Sequence, residues 1–347
     1  MVKVLKQLKE QLIEYSQSIG IDAIGFGDVS RFESLEKLLI KRQEEKTSSL
    51  LAKGSVEERV NPLVSMADAQ SVISIAVAYP KESSKMPPLN KETLAVQFSR
   101  SSWGIDYHTV LKEKLALIES WLMQKDDSIS LISQVDTGVL NDRAIALRAG
   151  IGFRGLNNSV ISKEYGSYIY LGSLVVNVLF EPDHPIETLC GDCRRCVRAC
   201  PTKALSETGD MNERRCLSFI SQAKSEIEPE LLKKMNKYVY GCDICQEVCP
   251  HNQDVNRPCH EALEATGVEF PTIDEILTLS QKQFKQKYGH LAGSWRGVGV
   301  IKRNALMNAR YYKYKGVVPK AEAILAADGP EWLKQSARLV IEELEDL

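Results

Sequence analysis

The cysteines constrain this chain more than any other feature, because their spacing leaves few folds open. Cys190, Cys193, Cys196 and Cys200-Pro201 form C-x2-C-x2-C-x3-C-P, and Cys242, Cys245 and Cys249-Pro250 follow as C-x2-C-x3-C-P. This is the ligand pattern of bacterial double-cluster ferredoxins, in which the last cysteine of a run crosses over to the other 4Fe-4S cluster. Two such clusters need eight thiolates; the runs supply seven, and Cys216 lies between them as the eighth. The crossover rule gives Cys190, Cys193, Cys196 and Cys249 to the first cluster and Cys200, Cys216, Cys242 and Cys245 to the second. Cys259 is left over as a thiol that packs like a small hydrophobe. Structural zinc is the alternative, but it favours paired C-x2-C units and suits the triple run and the two proline endings less well. A disulfide framework belongs to small secreted chains. The pattern points to a chain that handles electrons.

The rest of the chain is too long to be a ferredoxin alone. At 347 residues and 44% hydrophobic content it can bury a sizeable core, and the length suggests about two domains plus an insert. No apolar run approaches the roughly 18–20 residues that span a bilayer. Near the N-terminus, Val4, Leu5, Leu8, Leu12, Ile13 and Ile19 recur at helical spacing among charges, an amphipathic helix and not a signal sequence. The expectation is a cytoplasmic, monomeric enzyme with no membrane partner.

Periodicity predicts an α/β (α+β) body with a mixed sheet and flanking helices. Strands are expected over 22–27, 71–79 and 129–135, with helices over 31–51, 107–124 and 140–149. Two further β runs within 159–180, around Tyr165-Gly166, are expected to return to the same sheet. The cysteine-rich insert carries a predicted helix near 212–224. Beyond Pro271 the pattern is helical, with helices over 301–312 and 330–344 around a short one, similar to HEAT-type repeats that cannot stand alone. The expected domains are a 1–186 α/β body, a 187–255 ferredoxin-like insert and a 256–347 helical region packed on the body.

Charge is unevenly placed. The net charge is -2, yet no acidic residue occurs from 276 to 321, where Lys282, Lys287, Arg296, Lys302, Arg303, Arg310 and Lys320 are among the cations. Tyr288, Trp295, Tyr311, Tyr312 and Tyr314 are interleaved with them. Cations that face phosphates release condensed counterions, and flat side chains stack on unpaired bases, so a nucleic acid is a plausible partner; a solvated helix face is the bland alternative.

Two motifs are rejected. Gly150-Ile-Gly152-Phe-Arg-Gly155 matches G-x-G-x-x-G but follows a predicted helix, so it reads as a helix cap and loop instead of a dinucleotide fingerprint. Asp106-Tyr107-His108 begins like a cobalamin D-x-H-x-x-G signature, but Leu111 stands where glycine is needed, so no histidine ligand to cobalt is expected. Asp136, in Val135-Asp-Thr-Gly138 at the end of a predicted strand, is a candidate general acid if burial raises its pKa. Asp-Thr-Gly is also ordinary turn chemistry, and spacing leaves both readings open.

A resemblance separates them. The stretches Phe98-Ser-Arg-Ser-Ser-Trp-Gly-Ile-Asp-Tyr-His108, Val135-Asp-Thr-Gly-Val-Leu-Asn-Asp-Arg143 with Arg148-Ala-Gly-Ile-Gly-Phe153, and Tyr165-Gly-Ser-Tyr-Ile-Tyr-Leu171 stand beside the cysteine ladder. Together with Gly289-His-Leu-Ala-Gly-Ser-Trp-Arg-Gly297 and Lys302-Arg-Asn304, they resemble the epoxyqueuosine reductases, nearly collinearly to about residue 312. The resemblance implies a cobalamin-dependent enzyme with two 4Fe-4S clusters that reduces epoxyqueuosine to queuosine at the tRNA wobble position, fed by an unidentified low-potential electron donor. It implies Asp136 as proton donor and Arg59, Ser99, Asp136, Val160, Leu171 and Ser218 beside cobalamin. Arg143, Lys224, Arg296, Lys302 and Arg303 are implied near tRNA. Ser99 stands where some relatives carry cysteine, and Leu156 replaces a lysine common before Asn157. A reductive dehalogenase-like enzyme acting on a small molecule, or a simple electron-transfer protein, is the alternative.

Overall fold

The computed structural model describes residues 2–49, 51–256, 258 and 260–345; the spare thiol Cys259 lies outside them. Strands β1 (Ala23–Gly27), β2 (Ser71–Ala78), β4 (Leu131–Gln134) and β7 (Ile169–Val176) form one sheet in the order β1-β2-β7-β4. All its pairings are antiparallel, and β2 aligns Ser71 with Val176 and Ala78 with Ile169. Every residue of β2 is buried, because helices cover both faces of the sheet. This is why its apolar residues fall on both faces, interrupted only by the small Ser71 and Ser74, instead of alternating with exposed polar ones.

One face packs Ile73, Ile75 and Val77 against the helices Val2–Ser18 and Tyr107–Lys125, the latter through Leu111, Leu115, Ile118 and Leu122. That i, i+4, i+7, i+11 spacing keeps one helix face on the core. The other face carries Val72, Ala76, Ala78 and Val175 beneath the helices Glu33–Glu44 and Asp142–Arg148. The α/β class therefore takes its α+β form.

Of the two runs expected to rejoin the sheet, only β7 does. Strand β6 (Val160–Ile161) pairs instead with β5 (Phe153–Arg154) in a separate two-stranded unit. The parallel pairing lies elsewhere: β3 (Gln97–Phe98) runs alongside β8 (Tyr238–Tyr240), joining the body to the cysteine-rich insert. The rejected G-x-G-x-x-G is a helix end, with Gly150 at φ +70° closing the helix Asp142–Arg148. The helix expected near 212–224 is reduced to a 3-10 turn, Glu213–Arg215, and one α turn, Leu217–Ile220.

The insert has little core of its own. Cys249 and Cys190 pack with Phe153 and Ile161 of the body. Leu217, Ile220, Leu231, Leu232, Met235 and Val239 instead share a core with the helices Ile273–Thr278, Val298–Tyr312 and Glu331–Glu345. The helical region thus packs on the insert as well as on Val96 and Phe98 of the body.

Candidate active site and cluster-binding centres

The cysteines gather in two sets. The sulfur of Cys249 lies within the fields of Cys190, Cys193 and Cys196, and the same four residues line one open depression with Leu156 and Ile161. Cys242 lies within the fields of Cys216 and Cys200, and Cys245 within those of Cys242 and Cys216. These are the two crossover sets that spacing predicts. Cys245 also interacts with Cys196, so the sets adjoin. Among the described residues no three His, Cys, Asp or Glu side chains converge as ligands of a single ion. Two adjoining sets of four thiols match the ligand demand of two 4Fe-4S clusters.

Buried polar contacts hold the second set in place. Asp243 and Glu247, on either side of Cys245, pair with the buried Arg100 at 3.1 and 2.9 Å, and Arg100 also donates to the Lys81 carbonyl. The neighbouring Ser99 is buried and donates its backbone N–H to the Tyr240 carbonyl. A Cβ on Gly241 would lie 2.0 Å from the Ser99 hydroxyl, so close approach requires glycine just before Cys242. Leu156, the departure from the lysine of relatives, sits against the first set: its backbone N–H points at the Cys190 sulfur at 3.5 Å.

Asp136 occupies the loop after β4 in left-handed backbone, φ 53°. Asp142 accepts its backbone N–H at 2.8 Å and is itself fixed by Gln134 and Ser173. The side chain is 68% exposed, yet Tyr107, His108 and Arg143 surround it, so it stands in a recess open to solvent. The Tyr107 hydroxyl donates to Oδ2 at 3.1 Å, and His108 Nε2 lies 3.7 Å away. His108 and then Tyr107 hold the Asp136 carboxyl below the usual carboxylate range despite the opposing effect of burial. The expectation that burial raises its pKa is therefore corrected: before substrate arrives, Asp136 is a carboxylate.

Arg143 projects into the recess and donates to the Asn158 carbonyl. Arg143 and Arg59 both feel Glu213, which places them together. Arg59 stands in the last turn of the short helix Val56–Val60, set by a Ser55/Glu58 capping box, and burial lowers its pKa. Val160 and Leu171 fall in one apolar cluster with Ala76, Ala78 and Ala146, whose small side chains keep the surface low. Ser218 lies in the turn after Cys216, and its carbonyl accepts from Ser221 and Gln222. On the other side of Asp136, Tyr240 links to the exposed Trp295 by a 3.2 Å hydrogen bond, and Arg296 stacks on the Trp295 ring at 3.8 Å. Sequence reasoning rejected Asp106-Tyr107-His108 as a cobalt motif and missed its place here. No local spacing could show that it would meet Asp136.

The acid-free segment is not a uniform cationic face. Lys287 pairs with Glu275 and Lys320 with Asp274, acids just before it in sequence, and Arg310 with Glu343 of the helix Glu331–Glu345. Arg303 is fully buried and donates to the carbonyls of Ile220 and Ala223 and to Asn304. Its expected contact with tRNA is corrected to a packing role, since its donors already meet protein acceptors. Lys302 is half-buried, whereas Lys224 is exposed.

Two adjoining four-cysteine sets beside a recess with an exposed carboxylate define an iron–sulfur oxidoreductase. Residues 189–252 match the "4Fe-4S double cluster binding domain" family, and residues 59–137 match "Epoxyqueuosine reductase QueG". The epoxyqueuosine reductase of Bacillus subtilis is 40% identical over 98% of this chain and 88% of its own length; that of Listeria monocytogenes is 42% identical over 90% and 83%. A crystal structure of epoxyqueuosine reductase with an epoxyqueuosine-modified tRNA-Tyr stem loop superposes with a TM-score of 0.94 at 41% identity, covering 97% of this chain and 90% of that one. The Bacillus subtilis enzyme with its catalytic aspartate loop swung out of the active site gives 0.93 at 39% identity, over 97% and 90%. The chain belongs to the epoxyqueuosine reductase family.

Proposed function

We propose that this protein reduces epoxyqueuosine to queuosine in the anticodon of tRNA. The observation that carries this reading is the exposed Asp136 carboxylate in a recess beside two adjoining cysteine sets. Removing an epoxide oxygen as water takes two electrons and two protons, whereas each cluster passes one electron at a time. Cobalamin, when bound, supplies a centre that accepts both electrons and is nucleophilic towards an epoxide carbon. The residues present fit such a group. Arg59 brings a cation without a carboxylate partner within 4 Å, among the described residues, to meet its polar groups. Val160 and Leu171 offer a low apolar surface. Ser99, Ser218 and Asp136 complete the set that would hold it.

In this reading Asp136 protonates the opening epoxide oxygen. Covering the recess with substrate withdraws water from the carboxylate and favours its protonated form. Arg143, Lys224, Arg296 and Lys302 guide the anticodon arm, and Trp295 offers a flat face to a base. A low-potential donor supplies electrons, and the working enzyme is a cytoplasmic monomer. No helix among the described residues is long and apolar enough to cross a membrane. The test is anaerobic reconstitution with iron and sulfide, then assay on epoxyqueuosine-containing tRNA with and without cobalamin. Queuosine should form only in the complete mixture; its absence there would overturn the proposal.

A further inference from the structure

Epoxide reduction, on which this inference rests, delivers two protons to one oxygen, and one carboxyl holds only one. We infer that His108 stores the second proton and recharges Asp136 between the two protonations, with Asp106 orienting the imidazole.

The geometry is specific. Asp106 caps the helix Tyr107–Lys125; its Oδ1 accepts the backbone N–H of His108 at 3.0 Å and lies 2.8 Å from Nδ1 of the same ring. A carboxylate on Nδ1 keeps the proton there, so Nε2 is the nitrogen free to gain or lose one. Nε2 is buried without a hydrogen-bond partner and lies 3.7 Å from Asp136 Oδ2. An unpartnered buried nitrogen is costly unless a partner comes to it, and the Asp136 loop is the element facing it. The ring itself is fixed: it stacks on Tyr107 at 4.2 Å, and Tyr107 stacks on Tyr170 of β7 at 4.5 Å and 3°.

The surrounding charges favour the imidazolium. Asp106 and Asp136 face the ring directly, while the cations nearby act through those carboxylates, Lys112 on Asp106 and Arg143 on Asp136. From the insert and the helical region, Tyr240 faces the two carboxylates with Arg296 behind it. The two aspartates push the His108 pKa up to about 9.

The proton steps balance. With substrate over the recess, Asp136 takes up a proton from solvent and gives it to the opening oxygen as the first C–O bond breaks, and its carboxylate then takes the Nε2 proton from His108. The recharged carboxyl protonates the same oxygen again as the second C–O bond breaks, the alkene forms and water leaves. Two electrons from the clusters complete the reduction, and neutral His108 regains a proton from solvent.

The test compares wild type, His108→Gln and His108→Ala as reconstituted holoenzymes across pH, with a histidine NMR titration of the full chain. Wild type should lose activity as pH rises through about 9; His108→Gln should lower kcat by roughly 10², leave the KM for tRNA within about twofold, and abolish that loss. Added imidazole should restore part of the His108→Ala rate near neutral pH, which a purely structural role would not allow. In the NMR titration Asp136→Asn should lower the His108 pKa. Wild-type kcat and pH profile in His108→Gln, or no imidazole rescue, would overturn the inference. A wild type that forms no queuosine would remove the reaction instead, while the NMR titration would still report on the pair.

Discussion

Asp136 combines two readings that pattern alone kept apart. It is a turn residue, in left-handed backbone that aspartate tolerates better than most side chains, and it is also an exposed carboxylate. Backbone strain of this kind costs on the order of 1–3 kcal/mol and persists where function needs a side chain aimed. Asparagine tolerates the same conformation, so Asp136→Asn removes the acid without disturbing the turn. We expect it to retain cluster and cobalamin content by absorption while turnover falls at least about 10²; wild-type turnover would reject Asp136 as the acid. The chain displayed Asp136, but not its partner. His108 is 28 positions away, and only the folding of helix Tyr107–Lys125 against β4 and β7 brings the two together. A stability signature follows from the same pair. His108 has a folded-state pKa raised from 6.5 to about 9, so its stabilising contribution is complete below about pH 6.5 and lost as pH rises through about 9. Allowing for partial exposure, that contribution is roughly 1–2 kcal/mol. Thermal unfolding should show a decline in Tm between pH 7 and 9.5 in wild type that is absent in His108→Gln.

The helix Val298–Tyr312 shows where periodicity stops being informative. Its apolar positions were legible, since Ile301, Ala305, Leu306 and Met307 pack in the shared core. Arg303, Asn304 and Asn308 are polar, yet all three are fully buried. They donate across the interface to the insert: Arg303 to the carbonyls of Ile220 and Ala223, Asn304 to those of Ser221 and Val239, and Asn308 to that of Tyr238. Those backbone groups lie at the end of the single turn Leu217–Ile220, in the chain just after it and in the short strand β8, where sheet or helix partners are few, so side chains must satisfy them. A linear charge pattern cannot distinguish a cation that faces phosphate from one that fills carbonyls. Substitution can. Arg303→Met should destabilise by about 3 kcal/mol or more, read by denaturant unfolding, because several buried acceptors lose their donor. Lys302→Ala should weaken tRNA binding and reduce the slope of log affinity against log salt by about 1. Arg303→Lys should leave that slope unchanged; a loss of about 1 would return Arg303 to the tRNA-contact set.

At the scale of the whole molecule, the ladder was the most legible feature, and what it could not convey is how its two halves are anchored. The Cys190–Cys249 side leans on Phe153 and Ile161 of the body. The side between Cys216 and Cys242 shares its core with the C-terminal helices. Each cluster therefore braces a different interface, because the insert buries too little apolar surface of its own to hold its loops without ligation. The four-stranded sheet, buried on both faces of β2, depends on neither. Loss of one cluster should consequently loosen one side of the molecule only. In Cys242→Ser, hydrogen exchange should accelerate over residues 217–239 and 298–312, where the second cysteine set and the buried Arg303–Asn308 contacts lie. Residues 71–78 and 169–176 should keep wild-type protection. Cys193→Ser should show the reverse preference, with faster exchange over 153–161 and little change in 298–312. Uniform acceleration in both variants would mean that the clusters support one cooperative unit, and the division of the insert between body and helices would then carry no energetic weight.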